Sequence, residues 1–244
     1  ARPKSIKTGP LLGSIMIFQG KTLDNKLFEA IMPRRIPVLI NNNSVKDVEN
    51  GFFRILMDEK KIITIAFVQI IGKISCRSNK DKFEMGRAAL KIAARDQGVE
   101  IKNMNIIIDK LKGGEISNHF GCIVGSWSIS HCDGISFAAF CENNQLLGLD
   151  AEPTYRVVER SLLAHICPQI SAPKSSVRRI KIWTIIESIG KATGRGLYNS
   201  HHINKIHEEK WSDGENLFDV RSFIVNLNGV KRIISLSTSQ IEEL

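Results

Sequence analysis

Apolar and polar positions along this chain change period several times, and each change marks an expected element. The run "IITIAFVQI" (62–70) is β-branched and almost continuously apolar, the pattern of a buried strand. In "DKFEMGRAALKIAARDQGV" (81–99), Phe83, Ala89 or Leu90, Ile92 and Ala93 recur at helical spacing with basic residues between them, and Gly98 is placed to stop that helix. Residues 101–108 read as another strand and "KGGE" (112–115) as a turn. "SWSIS" (126–130) then leads through "HCDG" into "ISFAAFC" (135–141). "ENNQ" (142–145) turns the chain into "LLGLDAE" (146–152), so this unit reads as a β-hairpin or meander.

Beyond Pro153 the pattern is polar and irregular, and "CPQISAPKSS" (167–176) reads as a loop. A second helix is predicted over "VRRIKIWTIIESIGKATG" (177–194), ended by Gly194 or Gly196. On its wheel Ile182, Ile185, Ile186 and Ile189 form an apolar stripe, while Trp183, Glu187 and Lys191 follow one another at one-turn intervals on the far side. "LFDVRSFIVNL" (217–227) and "VKRIISLST" (230–238) are strands joined at Asn228-Gly229, a hairpin signal. Residues 1–60 carry turn formers at "INNNS" (40–44) and "ENG" (49–51) and are otherwise poorly assigned. Each half thus holds a helix and a few locally connected strands, which implies an α+β fold of two similar lobes, 1–152 and 153–244.

Composition narrows the class without choosing a function. The 244 residues are 43% hydrophobic and 24% charged, as in a soluble globular protein. The formal charge of +9 favours an anionic partner: nucleic acid, a phosphorylated cofactor, an acidic protein or a membrane surface. Five cysteines with no C-x-x-C pair indicate neither a disulfide framework nor a zinc ribbon, and fit reduced thiols in a cytoplasmic protein. The most apolar run, 62–74, is shorter than the about 20 residues a membrane span needs. The segment "ARPKSIKTGP" is not followed by the apolar region of a secretory signal. No basic segment interleaved with aromatics marks a nucleic-acid module.

Three stretches could carry chemistry. Asp150 and Glu152 stand two apart on a strand, so their side chains share a face with Cα atoms roughly 7 Å apart. Their oxygens could converge on one hard divalent cation, or they could be solvated acids at a strand end. Glu187 and Lys191 could be a surface helix pair, although a Trp183 on the same side needs something to cover it. In "SISH" (128–131), Ser130 and His131 lack the G-x-S-x-G turn of a hydrolase elbow. His131 could contact a phosphate or be a buried structural histidine.

In their order and separation, "GSWSISHC", "LLGLDAE" and "WTIIESIGK" resemble the three signature segments of the 4'-phosphopantetheinyl transferases, of the larger surfactin and enterobactin type. "KATGRGL" (191–197) and the Gly-Arg helix at "MGRAAL" (85–90) extend the resemblance, which covers about 81–197. It implies a pseudo-twofold pair of α+β lobes with the cofactor between them. It also implies a magnesium-dependent transfer of the phosphopantetheine arm of coenzyme A to a serine of an apo acyl or peptidyl carrier protein. Asp150, Glu152 and Glu187 would be the Mg2+ ligands, and Glu187 would also serve or position the base for the incoming serine. Lys191 would steady the pyrophosphate. Ser130 and His131 would hold coenzyme A phosphates, with Lys82 and Arg87 as further basic contacts.

Ile186 stands where that family usually has lysine, which removes one cation and predicts weaker cofactor affinity. Gly190 costs about 1 kcal/mol against alanine inside a helix. Ala151 replaces a more usual branched residue, and "KGGE" lacks the Gly-Lys-Pro that often precedes the histidine segment. The expected enzyme is a cytoplasmic monomer with no membrane contact. Its alternatives are a noncatalytic coenzyme A or carrier-protein binding homologue on the same scaffold, and a basic nucleic-acid-binding module.

Overall fold

The structure, a computed structural model, describes residues 15–18, 28–31, 34–39, 45–57, 62–70, 79–101, 105–109, 113–117, 122–142 and 145–239. Its early part forms strands β1 (Ile15–Phe18), β2 (Phe28–Ile31), β3 (Arg34–Leu39), β4 (Val45–Leu56) and β5 (Ile62–Ile70). Helix α1 (Asn79–Asp96) follows, then β6 (Asn105–Asp109), β7 (Gly113–Ser117), β8 (Ile123–Cys132), β9 (Ile135–Cys141) and β10 (Leu147–Pro153). The rest comprises α2 (Arg160–Ile166), α3 (Ser176–Ala192), β11 (Asn204–Lys205), β12 (Lys210–Ser212), β13 (Leu217–Leu227) and β14 (Val230–Ser239).

Among the described residues, nine strands form one antiparallel sheet in the order β1-β2-β4-β5-β9-β8-β7-β6, with β3 also on β4. Five form a second sheet, β10-β14-β13-β12-β11. The chain is therefore α+β. Strand β10 does not continue a meander from β9: it pairs with β14 and belongs to the second sheet.

Alternation along the strands sorts the side chains into three apolar groups. In β9, Ile135, Phe137, Ala139 and Cys141 meet Leu147, Leu149 and Ala151 of β10 and Phe223, Val225, Ile234 and Leu236 of the second sheet. Ala138 and Phe140, on the opposite face of β9, pack on Met85, Ala89, Leu90, Ala93 and Ala94 of α1. Ile180, Trp183, Ile185, Ile186 and Ile189 of α3 cover the outer face of the second sheet with Phe218, Val220 and Ile233. The layers thus run α1, first sheet, second sheet, α3.

Several expectations need correction. "ENG" lies inside β4, with Asn50 and Gly51 paired to Val68 and Phe67 of β5. The "INNNS" turn lies outside the described residues. Gly113, Gly114 and Glu115 of "KGGE" are strand, paired to Asp109, Ile108 and Ile107. Phe83 does not face the core; it is exposed, and its ring lies under the Arg87 guanidinium. The stretch read as irregular after Pro153 contains α2, a helix of only seven residues in which Leu163 alone is buried. From Trp183 onward helix α3 is buried or half-buried on every side, including Thr184, Ser188 and Gly190, and Ile182 from the expected stripe is only half-buried.

That burial has a polar solution. Thr184 Oγ1 meets Ser235 Oγ at 2.7 Å, and Ser188 Oγ meets Ser237 Oγ at 2.5 Å, so hydroxyls of α3 and β14 satisfy one another. Glycine sets the distance between helix and strand. A Cβ on Gly148 would stand 1.8 Å from Ser188 O, and one on Gly190 would stand 2.1 Å from Gly196 O. Gly190, a cost in an isolated helix, is thereby what lets the chain after α3 return and donate Gly196 N to Gly190 O at 2.9 Å.

Candidate functional site

The site lies where β10, an edge strand of the second sheet, rides over β8. One side of β10 is closed by backbone bonds to β14. On the other, serine hydroxyls of β8 take the strand's amides: Ser128 Oγ accepts from Leu149 N at 2.9 Å, and Ser130 Oγ accepts from Ala151 N at 3.1 Å. Ser126 Oγ accepts from Gln145 N at 3.2 Å just before the strand. The alternating serines of "GSWSIS" thus hold one sheet's edge to the other's face.

Leu149 and Ala151 point into the core between the sheets, so Gly148, Asp150 and Glu152 face α3. Asp150 is 2% exposed. Its Oδ1 accepts from Lys191 Nζ at 2.7 Å and from Ser130 Oγ at 3.0 Å, and Lys191 Nζ also reaches Ser130 Oγ at 3.2 Å. Its Oδ2 is buried with no hydrogen-bond partner. A buried carboxylate oxygen left bare costs free energy unless a proton or cation reaches it.

Glu187 lies one turn before Lys191 on α3 and is half-buried. Its carboxyl is pushed above the usual range first by burial and then by Asp150, against the pull of Lys191 and Arg156. Trp183 also favours the anion, although its Nε1 makes no hydrogen bond of good geometry. Glu152 forms an ion pair with Arg156, whose guanidinium lies 5.0 Å from the centre of the Trp183 ring. The cover that Trp183 needs is therefore Arg156.

Of the residues singled out from sequence, Asp150, Lys191 and Ser130 are in direct contact and Glu187 is within electrostatic reach of them. Glu152 shares the face but is turned to Arg156, and among the described residues no three acidic, histidine or cysteine side chains stand as a ready metal cage. Ser130 is 3% exposed, and its hydroxyl is engaged inside this cluster. Glu187 and Lys191 are both half-buried, at the rim of this cluster.

His131 points from β8 to the other side, toward α1. Its Nδ1 meets Ser136 Oγ at 2.7 Å, and it shares a shallow cavity of about 50 Å³ with Lys82 and the Asp133–Ser136 turn. Its pKa is pushed down to about 4 by burial of the ring, Lys191 and Lys82, so the imidazole is neutral near pH 7 even though part of the residue keeps solvent contact. Arg87 is engaged with Phe83 on the exposed side of α1.

Sequence reasoning missed Arg156, which lies in the irregular stretch between β10 and α2 where no periodicity points to it. Its signal is a lone cation four residues beyond Glu152. Tyr155 beside it hydrogen-bonds Asp133 in the β8–β9 turn and ties that stretch to the first sheet.

The cluster holds three carboxyl groups against two cations, with one bare buried oxygen, a donor set that could take a divalent cation only once Glu152 is released from Arg156. Asp150 Oδ2 and Glu187 would be its first ligands, and Glu152 would join on release from Arg156. Comparison with protein-family models and with curated proteins returns no match. No helix among the described residues is long and apolar enough to cross a membrane.

Proposed function

We propose that this chain is a magnesium-dependent phosphopantetheinyl transferase, moving the phosphopantetheine arm of coenzyme A to a serine of an apo acyl or peptidyl carrier protein. The observation that carries this reading is the bare Asp150 Oδ2 beside a Glu187 of raised pKa, with Lys191 completing the cluster. Mg2+, held by Asp150, Glu187 and Glu152, would supply charge neutralisation at the pyrophosphate when bound.

The chain's own residues supply the rest. A carboxyl whose pKa is raised above the usual range suits a group that takes the proton of the incoming serine hydroxyl, and Glu187 has that character. Lys191, part-exposed at the rim, can turn its remaining N–H groups to the pyrophosphate oxygens as negative charge develops there. His131 would meet a cofactor phosphate as a neutral hydrogen-bonding ring and Lys82 as a full charge. Two lobes related by a pseudo-twofold, with the cofactor between them, belong to this same reading.

Ile186 favours a second reading. It is 0% exposed in the α3 core, so the cation that the resembling enzymes carry there is absent by construction. The chain would then be a noncatalytic binder of coenzyme A or a carrier domain. Incubation with coenzyme A, Mg2+ and a broad panel of apo carrier proteins separates the two. The transferase reading expects a phosphopantetheine mass gain on at least one carrier, and calorimetric cofactor binding with no mass gain on any would replace it with the binding reading. Salt-sensitive binding of DNA or RNA without coenzyme A binding would favour a nucleic-acid module instead.

A further inference from the structure

Arg156 is joined to the acidic cluster by two contacts and by its charge. It forms an ion pair with Glu152, its guanidinium lies 5.0 Å from the Trp183 ring centre, and its charge reaches Glu187. Lys191 approaches the cluster from the other side, through Asp150 Oδ1. Glu152 and Glu187 therefore have one cation in common, and it enters from the half-exposed loop after β10, not from the core. The loop is fixed: Arg156 N donates to Pro153 O at 3.0 Å, Thr154 N donates to Lys231 O at 3.0 Å, and Tyr155 is latched to Asp133. The guanidinium is thus held beside the acids by backbone and by the indole face, and its bond to Glu152 can break without its leaving the site.

We propose that Arg156 is a built-in counter-ion that competes with a divalent cation for Glu152, so that cation binding at Asp150 and Glu187 displaces the guanidinium along the Trp183 face. The inference rests on the metal-holding part of the proposed function. Arg156 is a positioning residue here: it sets the cation affinity of the acids and touches no reacting atom. Its physical basis is that a Glu152 carboxylate turned to the Arg156 guanidinium through Oε1 is neutralised and misaligned as a ligand for a small hard cation that demands its own oxygen geometry. The other charged groups facing Glu187 are Asp150 and Lys191, and neither touches Glu152.

The test is direct binding of Mn2+, as a spectroscopic stand-in for Mg2+, to the full chain without coenzyme A, followed by spin resonance or calorimetry. Arg156→Gln keeps a planar group to lie on Trp183 and removes the charge, and it should bind Mn2+ roughly three- to tenfold more tightly than the parent. Arg156→Lys keeps the charge and should stay within about twofold of the parent. Arg156→Ala, if folded by circular dichroism, should follow Arg156→Gln. A Trp183 fluorescence change on adding Mn2+, identified by its loss in Trp183→Phe, should accompany binding to the parent and be smaller in Arg156→Gln. Equal or weaker Mn2+ binding by Arg156→Gln overturns the inference, as does binding by neither protein, which also removes the metal site. Tighter binding without any carrier modification leaves the inference standing and sinks the transferase reading alone.

Discussion

At Glu187, burial and charge oppose folding. Because its folded pKa lies above the ordinary carboxylate value, the folded chain holds this proton to higher pH than the unfolded chain does. Stability contributed here is present in acid and is lost as pH rises from the ordinary carboxylate pKa through the folded one. Glu187→Gln should therefore melt above the parent at neutral pH, with the gap closing in acid, while transfer to a carrier falls by about 10²–10⁴-fold. Thermal melts across pH 4–8 together with the mass assay check both halves, and a variant that melts lower at every pH would contradict the charge account. His131 behaves in the opposite sense. Its folded pKa of about 4 lies below the ordinary histidine value of 6.5, so as pH falls from 6.5 the unfolded chain takes the proton first and stability declines until about pH 4. An NMR titration of the imidazole should show a midpoint near 4, and a midpoint near 6.5 would mean that neither burial nor the charges of Lys191 and Lys82 act on it as described.

Between elements, the contacts that place the acids are backbone to backbone or hydroxyl to amide. Alanine at Gly148 would drive a methyl into Ser188 O, and at Gly190 into Gly196 O, neither of which can swing aside. Each should cost ~3 kcal/mol or more in denaturant melts. Ser128→Ala should strand the Leu149 amide at about 1–3 kcal/mol while leaving transfer per folded molecule nearly intact. Ser130→Ala strands Ala151 N and also loosens Asp150 and Lys191, so it should lose both stability and transfer. The elements themselves were legible where local pattern decides them. The ranges for β5, β9 and β13 agree with the apolar runs, and the β13–β14 turn holds Asn228 at φ 51 and Gly229 at φ 78, as its dipeptide predicts. Helix α2 was not legible, because seven residues with one buried leucine leave no stripe to read. The burial of the later half of α3 was hidden for another reason: Thr184, Ser188 and Gly190 look polar or small in sequence and become core only through partners on β14 and the chain after Gly194. In the same way, strand alternation placed Asp150 and Glu152 on one face, but nothing local revealed that Arg156 would take the second of them.

For the molecule as a whole, the two sheets share one core. Leu147, Leu149 and Ala151 are packed with Phe67 and Phe137 from the first sheet and with Phe223 and Ile234 from the second. Arg221 Nη2 reaches Met57 O at 3.1 Å, and Asn228 Nδ2 reaches Gln69 Oε1 at 2.9 Å across the same boundary. The halves should therefore unfold together in a single calorimetric transition. A fragment spanning 146–244 should fail to give dispersed NMR signals on its own, and a well-folded fragment would show the shared core to be dispensable. The way β10 is fastened bears on a hazard that any open sheet carries. A terminal strand with unpaired amides invites a second molecule to add itself there. In the smaller sheet one margin ends in the two-residue β11 and the other is sealed by hydroxyls from β8, which makes the strand bearing the acids a poor seed for aggregation.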